Sequence, residues 1–319
     1  MQEFEIVEHP QIDGLRVFFD TVHYRTPHIH RELELILLME GDLDVRIEHT
    51  RLLAHPGETV VFNPGQLHEF HAEEHSCTFL CLQVSPALAE PVYPAFGQLR
   101  FAQAMPGLAL AAESYRTLTQ RLFRLTQSYL ERPDGYELAC AGQAFLLLGQ
   151  LVEGVPHQVL SGSEVAGQQR RNDRLLRLIR YVDENYMHKV NLSDFARQEG
   201  LSLGYLSHFA REVLGRSFQD YVNTVRFYAA CKLIASGQYR MVDVYAASGF
   251  SDYRYFSRAF QKRFGVTPEE YRRRSQFPVL DETHVHHSVH SLERFYTRGK
   301  SLELLRQYEP RFQLQQRGS

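Results

Sequence analysis

Up to about residue 92 the chain alternates short apolar stretches with turn signals. Glu34–Met39, Leu43–Glu48, Thr59–Asn63 and Cys77–Val84 are apolar or alternating, and Gly41-Asp42, Pro56-Gly57 and Pro64-Gly65 punctuate them. This spacing predicts strands of an antiparallel barrel or sandwich. The period then changes. Between Ala109 and Tyr129, apolar residues recur at helical spacing at Tyr115, Leu118, Leu122, Leu125 and Tyr129. Arg132-Pro133-Asp134-Gly135 breaks the pattern. A second helix is predicted over Tyr136–Val152, with Leu138, Ala141, Phe145, Leu148 and Val152 on one face. Two helices joined by a short turn form an antiparallel hairpin. Residues 154–170 are rich in Gly, Ser and Gln and read as an interdomain linker. Helical patterns then run from Asp173 to Arg274.

That helical part contains one pattern twice, 49 residues apart. The first copy carries Ala196, Gly200, Leu201, Ser202 and Leu206; the second carries Tyr245, Gly249, Phe250, Ser251 and Tyr255. Each Gly suits a tight turn between two helices, and the apolar residue after it anchors that turn. Ser202 and Ser251 are placed to cap the second helix of each unit. Further on, Gly215-Arg216-Ser217-Phe218 matches Gly265-Val266-Thr267-Pro268, so Ser217 and Thr267 can cap the helices that follow. Two short helices about a Gly turn make a helix-turn-helix, whose second helix can enter the major groove. One such match is weak, but two in register are specific. Between them, Phe218 to Ser236 reads as a single helix with the stripe Phe218, Tyr221, Val222, Val225, Ala229 and Leu233. At ~1.5 Å per residue it spans roughly 28 Å. That approaches the ~34 Å between successive major-groove faces of a duplex.

Charge agrees with this division. Residues 1–167 hold 10 Lys/Arg against 22 Asp/Glu, a net of −12, whereas residues 168–275 hold 19 against 11, a net of +8. The whole chain of 319 residues carries only −3. A basic segment next to an acidic one points to a polyanion as partner of the basic part. Composition is ordinary for a globular protein, with 44% hydrophobic and 23% charged residues. No apolar run approaches the ~18 residues of a membrane span, and the polar N-terminus does not resemble a secretory signal. Four Cys without a CxxC pair predict reduced thiols and a cytoplasmic protein.

At Ala247 to Arg272 (ASGFSDYRYFSRAFQKRFGVTPEEYR) the chain resembles the signature of AraC/XylS-family transcription regulators, and LSDFARQEGLS matches the first unit. The resemblance covers 172–274 and includes Arg226 in the linker helix. Two positions depart from it: Tyr245 stands where Ala is usual, and Ala210 where Phe is usual, with Phe209 beside it. The implied fold is a multi-domain chain. An all-β cupin barrel with an antiparallel helical hairpin (1–153) precedes the linker (154–170). An all-α domain of two helix-turn-helix units (171–275) and an extension of unassigned role (276–319) complete it.

In the second unit Phe256, Phe260 and Phe264 recur at i, i+4 and i+8 and face inward, leaving Tyr253, Arg254, Ser257 and Arg258 outward. In the first unit Leu206 and Phe209 go inward, leaving Gly204, Ser207, His208 and Arg211 outward. The resemblance implies that these eight outward positions reach bases or phosphates. The second set has more hydrogen-bonding reach, Arg being able to donate bidentately to guanine, and is expected to discriminate bases more. Lys262, Arg263 and Arg272 to Arg274 read as contacts to the phosphate backbone or as solvated charge.

The acidic half carries its own chemistry. His28, His30 and Glu34 are separated by even steps and would share one face of a strand. His-x-His, three residues, Glu, six residues, Gly41 resembles the first cupin motif. Gly57, Gly65 and His68 resemble the second, with Asn63 in place of its Pro. Metal cupins use three His and one Glu from these positions. Two readings stay open for His28, His30, Glu34 and His68: a metal-free effector site that needs no cofactor, or a divalent metal site. Tyr24, Phe62 and Phe70 are expected in the core rather than stacked on a ligand. In the tail, His284, His286, His287 and His290 form a His-rich run, and a helix is predicted over Leu292–Arg306.

The function expected is a DNA-binding transcription regulator that responds to a small molecule in the cupin domain, a sugar or related metabolite by resemblance. Its expected partners are double-stranded DNA, the effector, a second copy through the hairpin, and RNA polymerase. No membrane partner and no enzymatic activity are expected. The alternative is a metal-dependent cupin enzyme fused to a DNA-binding module.

Overall fold

The computed structural model describes residues 11–48, 50–72, 76–274 and 291–315. The N-terminal part is built on β1 (Leu15–His28), β2 (Leu33–Glu40), β3 (Leu43–Ile47), β4 (Thr50–Ala54), β5 (Thr59–Phe62), β6 (His68–His71) and β7 (Cys77–Val84). These pair antiparallel in the order β4-β3-β6-β1-β7-β2-β5 and curl into a near-closed barrel. Gly41 turns β2 into β3 at φ +78°, where a Cβ would stand 2.6 Å from the Ser76 carbonyl oxygen. Only glycine meets both demands.

Strand β1 is longer than any of the expected strands. Leu15–Val22 pairs with β7, and Tyr24–His28 pairs with β6. Most of it is buried, so it lacks the clean alternation of a half-exposed strand. The structure accounts for this with the tail: β10 (Leu292–Phe295) pairs antiparallel with Asp20–Tyr24 of β1. The expected helix over Leu292–Arg306 is therefore corrected to a strand followed by a helix, α11 (Arg298–Gln315). The tail returns to the barrel. The His-rich run at His284, His286, His287 and His290 lies outside the described residues.

After the short α1 (Pro86–Ala89) and β8 (Leu99–Phe101), the hairpin forms as α2 (Ala112–Glu131) and α3 (Tyr136–Gly154). On α2 the predicted stripe is buried at Leu118, Leu122, Leu125 and Tyr129. On α3 the buried face is Cys140, Ala144, Leu147, Leu148 and Leu151, while Leu138 is 82% exposed. That corrects the predicted face. Because α3 is apolar nearly all round, its sequence does not single out one side. Helix α11 packs on α2: Arg298 donates to the carbonyls of Leu130 (2.6 Å) and Glu131 (3.1 Å), Phe312 meets Phe123, and Tyr308 donates to Glu40 (2.6 Å).

Residues 154–170 do not form a loose connection. β9 (His157–Val159) pairs with β8, and Ser161 with Glu164 makes a capping box that starts α4 (Gly162–Asn185). Helix α4 runs on into α5 (Leu192–Glu199), α6 (Leu203–Leu214), α7 (Phe218–Ser236), α8 (Met241–Ala247), α9 (Tyr253–Phe264) and α10 (Pro268–Arg274). Helix α7 is buried on two sides. Phe218, Tyr221, Val222 and Val225 join the core of the first unit, and Phe227, Ala230, Cys231 and Ile234 join that of the second. All four cysteines are buried and none forms a disulfide. Among the described residues no helix is long and apolar enough to cross a membrane.

Candidate functional site

The two helix-turn-helix units are α5–α6 and α8–α9. Ser202 caps α6 by accepting from the Tyr205 amide (3.2 Å), Ser217 caps α7, and Thr267 exchanges hydrogen bonds with Glu270 at the start of α10. The cap of α9 is Asp252, which accepts from the Tyr255 amide at 2.7 Å, and not the predicted Ser251. Both are good capping residues, and the turn at Gly249 places the second of them at the helix start. Leu206 and Phe209 are buried in α6, as are Phe256 and Phe260 in α9. Gly204, Ser207, His208, Arg211, Arg254 and Arg258 are exposed, and Tyr253 and Ser257 are half-buried. Tyr253 turns inward to hydrogen-bond Glu269, and burial and that bond push its hydroxyl up to about 12. Its hydroxyl thus braces α9 against α10.

Besides sharing α7, the units meet around the turn of the second. Gly249 takes φ +83°, and a Cβ there would lie 2.3 Å from the Tyr186 carbonyl oxygen. Arg226 of α7 donates to that same carbonyl (2.8 Å) and to the carbonyl of His188 (2.7 Å). The end of α4, the middle of α7 and the turn of the second unit therefore share one junction.

In the barrel, His28, His30, Glu34 and His68 come together, but not along one strand. His28 ends β1, His30 lies in the following turn, Glu34 is on β2 and His68 starts β6. All four are buried. Each imidazole directs Nδ1 at a backbone carbonyl: His28 at Thr26 (2.8 Å), His30 at Glu32 (3.1 Å) and His68 at Gln66 (2.9 Å). A carbonyl only accepts, so each Nδ1 carries the proton. The ligand atoms of the three His lie within 4.8 Å of one another. Glu34 borders them, 3.1 Å from His30 Nε2 and 3.7 Å from His68 Nε2, and accepts from Gln83 at 2.7 Å. Burial, with Arg25 and the neighbouring His rings, holds His28 well below its usual value, and burial takes His68 down to about 3 against the pull of Glu34. Burial alone would raise the Glu34 carboxyl, but His30 and His68 keep it far below the carboxylate range. Phe62 stacks on His68, Phe70 stands edge-on to His28, and both are core residues, as is Tyr24.

Asn63 is buried and explains itself. It donates to the Phe101 carbonyl (3.1 Å) and accepts from the Phe101 amide (2.7 Å), tying β8 to the barrel as a strand neighbour would.

Strand β6 has a second face. His68 and Phe70 point to the cluster just described, and Glu69 and His71 point the other way. Glu69 pairs with Arg216, in the turn before α7, at 2.5 Å, and accepts from the Tyr24 hydroxyl at 2.9 Å. Burial by itself would raise the Glu69 carboxyl, but Arg216 and His71 beside it hold it well below its ordinary range. Tyr24 stacks on Tyr228 of α7 with centroids 3.3 Å apart, and the Tyr228 hydroxyl lies 3.1 Å from His71 Nδ1. The loops carrying the cluster reach the same domain. Ile29 and Leu67 are members of the first unit's core, with Leu175, Leu178 and Phe209. Asn172 of α4 donates to the Gly65 carbonyl at 2.8 Å.

Residues 9–148 match the model of the AraC-like ligand binding domain, and residues 195–274 match that of a helix-turn-helix domain. The chain belongs to the AraC family of transcription regulators. It is 26% identical over 278 residues to the HTH-type transcriptional regulator ExsA of Pseudomonas aeruginosa, covering 85% of this chain and 96% of that one. It is 24% identical over 252 residues to YdeC of Bacillus subtilis, named an uncharacterised HTH-type transcriptional regulator, covering 77% and 85%. Among solved structures it is similar to ToxT from Vibrio cholerae, with 11% identity, coverage of 83% and 99%, and a TM-score of 0.40.

For this AraC-family chain, sequence reasoning located the reading helices and the His/Glu cluster. Tyr24 was expected in the core and lies there, but its part in the contact between barrel and helical domain was missed, with Glu69, His71, Arg216 and Tyr228. One signal was available: in His68-Glu69-Phe70-His71 the odd pair is as chemically capable as the even pair, so a strand there presents two working faces.

Proposed function

We propose that this AraC-family chain is an effector-responsive regulator in which ligand at His28, His30, Glu34 and His68 alters how the two reading helices sit on DNA. The observation that carries it is the position of Ile29 and Leu67. Each adjoins a cluster residue in sequence, and each is buried in the core of the first reading unit. A shift of either loop therefore moves the packing under α6. Coupling between sites needs such a shared element, and β6 with its flanking loops supplies one.

On this reading Arg254 and Arg258 supply base discrimination, and Gly204, Ser207, His208, Arg211 and Ser257 approach bases or phosphates, supported by their placement on α6 and α9. The chain acts in the cytoplasm without turnover of its ligand, as the naming of its relatives as transcription regulators supports. A second copy docks on the outward face of α3. Leu138 and Leu146 there are 82% and 51% exposed, and no atom lies within 4 Å of a Cβ built at Gly142 or Gly149. RNA polymerase is the further partner at the promoter, and a small polar metabolite is the effector class.

The test is selection of genomic fragments with the full chain, followed by anisotropy titration of a selected duplex with and without candidate metabolites. An effector should change affinity by roughly 5-fold or more. Leu67→Ala should blunt that change while duplex binding persists. A chain that selects no fragment over random competitor, or a Leu67→Ala chain with an undiminished response, overturns the reading.

A further inference from the structure

Helix α4 belongs to neither helix-turn-helix unit, yet it touches the first reading helix. Arg174 of α4 donates to the Tyr205 hydroxyl at 2.6 Å. Its guanidinium also stands over two rings of α6, 5.4 Å from the centroid of Tyr205 and 5.6 Å from that of Phe209. Tyr205 stacks on Phe209, so the three side chains form one ledge along the flank of α6. Phe209 is buried at its base, whereas Tyr205 is 45% exposed. Tyr205 is the third residue of α6 and gives its amide to the cap Ser202. The opening residues of a reading helix are those that come nearest the duplex. The ring sits ~100° around α6 from Gly204, at the edge of the outward face and not at its centre.

The chemistry of this pair suits one kind of group. A hydroxyl that accepts from a guanidinium keeps its own proton to donate, and the charge beside it polarises that O–H. The acids nearby are engaged by other arginines: Arg177 holds Glu199 at 2.7 and 2.8 Å, and Arg171 holds Glu212 at 3.1 Å. The first turn of α6 carries no acidic side chain, and the amide end of a helix favours an anion. The outward face of α6, with Gly204, Ser207, His208 and Arg211, has one Arg where that of α9 has two. More of the hold on DNA therefore falls to the flank of the first unit.

We propose that Arg174 and Tyr205 together bind one phosphate of the DNA backbone beside the first reading helix, which makes α4 a third DNA-contacting helix. This rests on reading α6 as a helix that enters the groove, and it does not depend on the effector. The ligand is an anion with several acceptor oxygens, which a guanidinium and a polarised hydroxyl bind side by side. Two residues before Arg174, Asn172 holds the Gly65 carbonyl at 2.8 Å, and the Gly65 amide donates to the His30 carbonyl at 2.8 Å. The helix that grips the phosphate is thus the one that holds the loop next to the barrel cluster.

The test titrates the full chain against a labelled duplex taken from the selection above and a random duplex of equal length, at several salt concentrations and without effector. Arg174→Gln should weaken both alike, by about 10-fold, and flatten the slope of log affinity against log salt by about 0.9. A role confined to packing would leave that slope unchanged. Arg174→Lys should restore the slope, because it restores the charge. Tyr205→Phe keeps the ring and loses the donor, so both affinities should fall by about 3-fold at an unchanged slope. In duplexes carrying single uncharged methylphosphonates, one position should cost the wild type affinity and cost Arg174→Gln and Tyr205→Phe little. Thermal unfolding checks each variant, and Tyr205→Phe with the methylphosphonate series carries the test should Arg174→Gln not fold. Arg174→Gln with the wild-type slope overturns the proposal, as does Tyr205→Phe with wild-type affinity. A loss limited to duplexes altered at one base pair also overturns it, since the pair would then read a base. A wild-type chain that binds no duplex overturns the reading of α6 and this proposal with it, whereas the variant results bear on this proposal alone.

Discussion

Glu69 on strand β6 and Arg216 before helix α7 form a buried ion pair of 2.5 Å that joins the sensor barrel to the DNA-binding domain. Tyr24 and His71 complete its hydrogen bonding on the barrel side. A buried pair of this kind is most informative when broken. Removing one partner leaves the other charged in a dry place, which costs about 3–5 kcal/mol, whereas replacing both costs far less. Glu69→Gln and Arg216→Met should each lower stability by that order, and the double variant by clearly less than the sum. Denaturant unfolding of all four chains measures it. Additive losses would show that the pair is not energetically coupled.

Arg254 and Arg258 stand exposed on α9, and among the described residues the contact their guanidinium groups make is a weak one from Arg258 to the Arg254 carbonyl (3.3 Å). Each change to Ala should reduce affinity for a selected duplex by about 1–3 kcal/mol and relax preference at one position. Affinities measured across an operator-variant panel separate this from phosphate contact. A uniform loss over all sequences would assign both residues to the backbone instead.

Gly249→Ala tests the junction between the units. The added Cβ meets the Tyr186 carbonyl oxygen at 2.3 Å, and the backbone sits at φ +83°. Backbone atoms cannot swing aside, so a loss of about 2–4 kcal/mol is expected, larger than for an ordinary Gly→Ala change at positive φ. Thermal unfolding reads the loss. Arg226→Ala removes the two bonds that brace the same carbonyls and should weaken DNA binding as well, because both reading helices depend on this junction.

Leu138→Glu and Leu146→Glu probe the outer face of α3. Both side chains are exposed, so the fold should tolerate either change within about 0.5 kcal/mol. Sedimentation equilibrium should show a dimer for the wild type and a monomer for the paired variant. A wild-type chain that stays monomeric at high concentration would leave the exposed α3 face without its proposed partner.

The tail is testable through Phe312, which is buried against α2 and meets Phe123. Truncation to Ala should cost about 3–5 kcal/mol if α11 is an integral part of the barrel's covering layer. Unchanged denaturant stability would show that α11 contributes nothing to the folded barrel.

Local order was legible wherever the pattern of apolar residues and the breakers agreed. The doubled Gly-apolar-Ser signal placed the reading helices, and Phe218–Ser236 emerged as α7 with the same ends. The residue types of the cluster were legible too, because three His and a Glu at those spacings are uncommon in a core. Their geometry was not. His28, His30 and Glu34 meet by a turn between two strands, which even spacing along one strand does not describe. Likewise the buried side of α3 could not be chosen from a helix apolar nearly all round, and β1 hid its strand character because the tail covers it from more than 260 residues away.

The amino-acid order by itself determined the periods, the caps at Ser202, Ser217 and Thr267, the charge division and the chemical inventory, since these depend on neighbours within a few residues. Tertiary structure alone decided that β6 works on both faces and that Ile29 and Leu67 enter a core belonging to another domain. It also decided that a remote tail completes the sheet. Those facts arise from contacts between segments far apart in sequence, where burial and close packing select a partner that no local pattern encodes.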